Sequence, residues 1–208
     1  MNQKNSLGLD NCFKDLKNPI DLFEDWFNEA KNTEIKDPNA FSLATADNNG
    51  VPSVRILLLK NYQKGGFVFY TNLESKKSRE LNNNPKASMC FYWKSLMRQI
   101  RITGKISKVS DQEADNYYNT RSYESRIGAW ASKQSSILKN MDELYKSIED
   151  YKNKFPDNNN LPRPKNWSGW NLNPYEIEFW LQGKNRIHQR LIYSKKNNKN
   201  WERSILSP

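Results

Sequence analysis

Four groups of residues carry the side chains that grip phosphate. Arginine offers paired N–H donors to two phosphate oxygens, and Lys, Ser, Thr and Tyr fill the remaining acceptors. The first group is Arg55-Ile56-Leu57-Leu58-Leu59-Lys60, where two cations bracket an apolar run. In a regular strand Arg55 and Lys60 face opposite sides of the sheet, so they would serve different ligand groups, or else flank a buried strand and discourage edge pairing. The second group joins Tyr70-Thr71 to Ser75-Lys76-Lys77 at an expected strand-to-helix junction. Helix N-termini attract anions; a solvated run of lysines is the alternative. In the third group Tyr117, Arg121 and Ser125 recur every fourth residue, sharing one face if the helix continues that far. A core tyrosine beside an exposed arginine fits that spacing equally. The fourth group sets Trp180 ahead of Arg186-Ile187-His188-Gln189-Arg190. A lone histidine is usually structural, but between two arginines its protonated form is disfavoured, so His188 would stay neutral and hydrogen-bond a ligand.

Other chemistries fall away. None of the eight glycines forms GxGxxG or GxxxxGK[ST], so neither a Rossmann dinucleotide site nor a P-loop is available. One histidine and two separated cysteines, Cys12 and Cys90, cannot build a zinc or iron-sulfur centre, and no metal site is expected. The net charge of +10 and the seven tryptophans raise nucleic-acid binding as an alternative, but the basic residues form no concentrated stripe. Apolar runs such as Ile56 to Leu59 fall far short of the ~18 residues of a membrane span. With no CxxC pair and no secretory apolar segment in MNQKNSLGLDNC, the sequence reads as cytoplasmic.

The elements that must position these residues follow from local pattern. The chain is long enough for one core and is read as a single domain over 18–208 behind a loose arm over 1–17. Asn18-Pro19 starts a helix whose Ile20, Phe23, Phe27 and Ala30 follow helical spacing, ending near Lys31. Short apolar runs separated by turn signals then predict strands at Phe41 to Thr45, Val54 to Lys60, Phe67 to Tyr70, Ala87 to Trp93 and Gln99 to Ser107, with one helix from Lys76 to Asn84. Ser110 to Glu113 fits a capping box opening a helix through about Arg121. A second helix gathers Met141, Leu144, Tyr145, Ile148 and Tyr151 on one face. Strands are expected again at Tyr175 to Gln182, Gln189 to Tyr193 and Trp201 to Ile205, with Lys195 to Lys199 as a polar hairpin loop. The class is α+β, mainly β: a small barrel or curled sheet with peripheral helices.

Six strings, R-I-L-L-L-K, F-Y-T-N-L-E-S-K-K, R-Q-I-R-I-T-G, S-R-I-G-A-W-A-S-K-Q-S-S, I-E-F-W and R-I-H-Q-R, stand in an order that resembles the pyridoxine (pyridoxamine) 5'-phosphate oxidase family, over roughly Pro19 to Pro208. Gly128 to Ser135 is the most specific, because neither amphipathicity nor turn chemistry demands it. The resemblance implies an FMN-binding split β-barrel that forms a homodimer, with FMN in clefts at the subunit interface. It assigns FMN contacts to Arg55, Ile56, Leu57, Leu58, Leu59, Lys60, Tyr70, Thr71, Lys76, Lys77, Gln99, Gln134, Ser135, Trp180 and Arg190. The substrate phosphate falls to Lys60, Tyr117, Arg121 and Ser125, and the pyridine ring to Arg186 and His188 as the catalytic pair.

The implied reaction oxidises C4' of pyridoxine 5'-phosphate or pyridoxamine 5'-phosphate, passes a hydride equivalent to the flavin, and returns the electrons to dioxygen. Its products are pyridoxal 5'-phosphate and hydrogen peroxide. Three departures stand out: Gln189 where the family often has Asp, Lys76 where Arg is common, and an amino-terminal arm without the basic, Tyr-containing cover of some members. A non-catalytic flavin- or haem-binding relative, or a flavin reductase, is the competing reading on the same barrel.

Overall fold

Asn18 and Pro19 start the first helix as their types require. The Asn18 side chain accepts the Ile20 amide at 3.2 Å, and Pro19 occupies the first helical position, where its missing N–H costs nothing. The structure, a computed structural model, describes residues 4–62, 66–157, 160–196 and 200–208. Helix α1 (Pro19–Thr33) buries Leu22, Phe23, Trp26, Phe27 and Ala30 against the sheet, where Phe23 meets Phe67 and Phe91 edge to face. Among the described residues no helix is long and apolar enough to cross a membrane.

The sheet grows by antiparallel pairing. β1 (Ala40–Ala46) turns back as β2 (Pro52–Leu58) around Asp47, whose carboxylate accepts the Asn49 and Val51 amides, both at 2.9 Å, while Gly50 takes φ 79°. β1 also pairs with β4 (Lys86–Trp93), β4 with β5 (Arg98–Lys108), β5 with β6 (Trp167–Leu181), β6 with β7 (Gln189–Lys196), and β7 with β8 (Asn200–Leu206). β3 (Phe67–Asn72) lies beside the first half of β6. The path from β2 to β8 does not close. Helix α2 (Lys76–Asn83) follows β3; α3 (Asp111–Asn119), α4 (Tyr123–Ala131) and α5 (Met141–Lys154) lie between β5 and β6.

Several expectations are corrected. Residues 4–17 are packed rather than loose. Leu9 and Phe13 are buried, the Trp26 indole donates to Cys12 O at 2.8 Å, and the Tyr193 hydroxyl donates to Leu16 O at 2.9 Å. The helix expected through Arg121 stops at Asn119, because Ser122 caps a new one by accepting the Ser125 amide. β2 ends at Leu58, so Lys60 lies beyond it. β6 begins at Trp167, eight residues before the expected start, and accommodates Pro174 beside a bulge in which Tyr175 has no partner on β5. Lys195 and Lys196 belong to β7, and residues 197–199 of the expected hairpin loop lie outside the described residues. The apolar face of α5 is helical as expected, yet none of its residues is fully buried.

Candidate active site

The first half of the site forms where β3 runs into α2. Lys77 is buried, and its Nζ donates to Thr71 Oγ1 at 2.8 Å, Ser75 Oγ at 2.9 Å and Gln134 Oε1 at 2.8 Å. Burial, helped by the nearby Arg55 cation, lowers this ammonium to about 8. Among the described residues no carboxylate hydrogen-bonds it, so a cation sits among neutral oxygens at the first turn of a helix. Ser75, the N-cap residue, makes no side-chain cap; its hydroxyl donates to Asn72 O instead, leaving the positive end of α2 open. This donor set fits a phosphate.

Beside it, Arg55 and Lys76 turn toward Glu80. Arg55 donates to Thr45 Oγ1 at 2.5 Å and Ser53 Oγ at 2.6 Å, and lies 3.4 Å from Glu80 Oε2. Lys76 reaches Glu80 Oε1 at 2.7 Å. Burial pushes the Glu80 carboxyl up, but hydrogen bonds from Lys76, Thr45 and Ser53 outweigh it and hold the group at about 2.

Across the helix break, Tyr117 from α3, Arg121 from the link and Ser125 from α4 line one cavity of about 470 Å³ with Lys60, Tyr70 and Trp167. The spacing thus brings these three together, although not on one helix. Tyr70 and Tyr117 stack at 4.0 Å, and Trp167 lies nearly parallel to both. Burial raises the Tyr70 phenol to about 12, so it remains a neutral donor. Arg121 lies over Trp167 at 4.8 Å, burial lowers its pKa, and its buried Nη1 has no hydrogen-bond partner among the described residues. Such an orphaned donor is costly unless a ligand meets it. A second cavity of about 330 Å³ shares Tyr70, Arg121, Ser125 and Trp167 and reaches Thr71 and Gln134, so the clamp adjoins the Lys77 cluster.

A separate cluster lies toward the other end of β6. Gln99, Trp180 and Arg190 are direct cross-strand neighbours. The His188 ring lies 4.7 Å from that of Trp180, and its Nδ1 accepts the Gly183 amide at 3.3 Å, which leaves the Nε2 proton of a neutral ring for a ligand. Arg186 is exposed in a tight turn in which Asn185 and Arg186 take φ 53° and 65°. Arg190 is held by Glu178 at 2.7 Å, and Arg101 takes the other carboxylate oxygen; Glu178 is only 2% exposed. Because Tyr70 pairs with Gly169 on the same strand, the stretch from Gly169 to Trp180 sets the two clusters roughly 35 Å apart along β6.

The structure therefore gathers Lys60, Tyr70, Thr71, Tyr117, Arg121, Ser125 and Gln134 in adjoining cavities, lined also by Ile56, Leu57 and Leu58, with Lys77 behind them on Thr71 and Gln134. Leu59 is buried in the core, and Ser135 is exposed at φ 71°. Gln99, Trp180, Arg186, His188 and Arg190 stand apart. Gln189 accepts the Asp10 amide at 2.6 Å, so this departure from the family pattern anchors the amino-terminal segment. Sequence reasoning missed Trp167, Ser122, Glu80 and Glu178. Only Glu80 left a signal, at helical spacing from Lys76.

Residues 27–155 match the family described as Pyridoxamine 5'-phosphate oxidase, and residues 167–208 the one described as Pyridoxine 5'-phosphate oxidase C-terminal dimerisation region. The chain is 64% identical over 208 residues to the pyridoxine/pyridoxamine 5'-phosphate oxidase of Pelagibacter ubique, covering 100% of both chains. It is 51% identical over 181 residues to that of Allorhizobium ampelinum, covering 87% of each. Among solved structures it is similar to PhzG from Burkholderia lata in complex with tetrahydrophenazine-1-carboxylic acid, with TM-score 0.88, 30% identity and coverage of 95% and 96%. A pyridoxamine 5'-phosphate oxidase-related, FMN binding protein from Nostoc punctiforme shares the fold, with TM-score 0.75, 16% identity and coverage of 93% and 99%.

Proposed function

The chain belongs to the pyridoxamine 5'-phosphate oxidase family, and from that premise we propose that it oxidises pyridoxine 5'-phosphate or pyridoxamine 5'-phosphate with FMN and dioxygen. The products are pyridoxal 5'-phosphate and hydrogen peroxide; from the amine, one water is consumed and ammonia is released as well. The observation that carries this reading is the Arg121 Nη1 donor, buried and without a hydrogen-bond partner among the described residues, beside Lys60, Tyr117 and Ser125. Two cations and two hydroxyls around one cavity match the monodentate and bidentate contacts of a phosphate ester.

FMN fits the neighbouring cluster, where Lys77, Thr71 and Gln134 would hold its phosphate with Arg55 and Lys76 alongside. When bound, FMN would supply the redox chemistry between the substrate C4' and dioxygen. The chain's own residues bind and orient. Lys60, Tyr117, Arg121 and Ser125 fix the substrate by its phosphate, which leaves one orientation for the ring. Arg186 and His188 cover the ring, with His188 donating from Nε2.

The second cluster stands eleven residues further along β6 than the first, and it lines neither of the first cluster's cavities. A homodimer joins the two: each site takes its phosphate clamps from one copy and its Gln99, Trp180, Arg186, His188 and Arg190 from the other. The match of β6 to β8 to a dimerisation region supports this arrangement. The reading places the enzyme in the cytoplasm.

The test is visible absorbance of the purified protein before and after pyridoxine 5'-phosphate without oxygen. A flavin spectrum that bleaches and recovers in air is expected. Bound flavin that bleaches with neither the alcohol nor the amine overturns the assigned chemistry, and failure to bind added FMN overturns the site.

A further inference from the structure

We propose that Glu80 is a positioning residue for the cofactor phosphate, a buried carboxylate that holds Arg55 and Lys76 in place beside the Lys77 anion site. The proposal rests on the reading that this site takes FMN. Glu80 is 5% exposed, so it lies beneath the cations rather than in the ligand's path. It ties three elements together. Thr45 on β1 donates to Oε2 at 2.5 Å, Ser53 on β2 donates to Oε2 at 2.7 Å, and Lys76 on α2 donates to Oε1 at 2.7 Å.

The two hydroxyls give the cluster its direction. Each spends its single proton on Glu80 and so presents only lone pairs to Arg55, which donates to both, at 2.5 Å to Thr45 and 2.6 Å to Ser53. A guanidinium on an edge strand would otherwise sample many rotamers; here Nη1 and Nη2 are both fixed, and Nη1 also reaches Leu43 O at 3.2 Å. Charge supports the same role. Arg55, Lys76 and Lys77 against one carboxylate leave the positive charge that suits a phosphate monoester of about −2. With Gln at position 80 the site would hold more positive charge but lose its geometry. The alternative role, an internal anion competing with FMN for the same cations, predicts the opposite change in affinity.

The experiment is FMN titration of the flavin-free full-length protein, followed by flavin fluorescence, for wild type, Glu80→Gln and Ser53→Ala. Glu80→Gln is expected to raise the FMN Kd about tenfold or more, and Ser53→Ala a few-fold, as expected for losing charge-assisted hydrogen bonds. The double variant is expected to be no worse than Glu80→Gln, since the residues act as one unit. At saturating FMN the KM for pyridoxine 5'-phosphate stays within about twofold of wild type, which general structural damage would not allow. An unchanged or lower Kd in Glu80→Gln overturns the proposal, as does a KM that rises in parallel with the Kd. If circular dichroism shows Glu80→Gln unfolded, Ser53→Ala carries the test, and its unchanged Kd overturns the proposal. Wild type that binds no FMN overturns the functional reading and this inference together, whereas wild type that binds FMN with variants that bind equally overturns the inference alone.

Discussion

The Arg121 guanidinium lies 4.8 Å from the centre of the Trp167 ring, steadied by a π face where a carboxylate would have cancelled its charge. Its donors therefore remain available to a ligand. Arg121→Ala is expected to cost about 2–3 kcal/mol of substrate binding, a KM rise of about 30- to 150-fold, with the FMN Kd unchanged. Arg121→Lys keeps the charge but loses the planar fork, and is expected to fall between. Steady-state kinetics at saturating FMN check both. An unchanged KM in Arg121→Ala removes Arg121 from the substrate clamp.

On the proposed FMN reading, Lys77 is expected to make cofactor binding pH-dependent. Its folded-state ammonium titrates at about 8, against about 10.4 in the unfolded chain. Between those values the unfolded chain binds more protons, so the flavin-free fold gains stability as pH rises from about 8 toward 10.4. Urea unfolding at pH 7 to 10 is expected to show this gain in wild type relative to Lys77→Met. The phosphate favours the charged form, so FMN binding near pH 8 takes up protons, and affinity falls above that pH. Calorimetry in buffers of different ionisation enthalpy reads the proton number; zero uptake at pH 8.5 contradicts the assignment.

Phe13 is fully buried with its ring edge to face with Trp26 at 5.3 Å. Phe13→Ala is expected to destabilise the fold by about 3–5 kcal/mol in urea unfolding. A change below about 1 kcal/mol shows that the amino-terminal segment adds little to the core.

Gly183 has room for no side chain: a Cβ there would lie 1.7 Å from the Ile187 carbonyl oxygen. Gly183→Ala must open the turn that sets Arg186 and His188. It is expected to lower kcat/KM on the order of a hundredfold, the scale of a 1 Å misplacement, with FMN still bound. Wild-type kcat/KM in this variant dissociates the turn from the chemistry.

What was legible in the sequence was what local chemistry controls. Asn18-Pro19 and the apolar spacing after it fix α1, and the Asp47 to Gly50 turn fixes the first hairpin. The start of β6 was not legible, because Ser168-Gly169, Asn171 and Asn173-Pro174 read as loop; only pairing to β3 on one side and β5 on the other makes them a strand, and those partners are distant in sequence. Tyr117, Arg121 and Ser125 were found through helical spacing, yet they meet across a break made by Ser122. Glu178 falls in the outward phase of β6, between inward Ile177 and Phe179, and its burial depends on Arg101 and Arg190 arriving from neighbouring strands. Glu80 looked like one more charge in a charged run; nothing local reveals that Thr45 and Ser53 sit above it.

The single strand β6 carries one cluster near each end, and this has a genetic consequence. If each site is shared between two subunits as proposed, then in a dimer mixing an Arg121→Ala subunit with an Arg186→Ala subunit one site inherits both lesions and the other inherits neither. At substrate concentrations too low for either variant alone to turn over, the two alleles expressed together are therefore expected to complement, restoring about a quarter of wild-type activity if subunits assort at random.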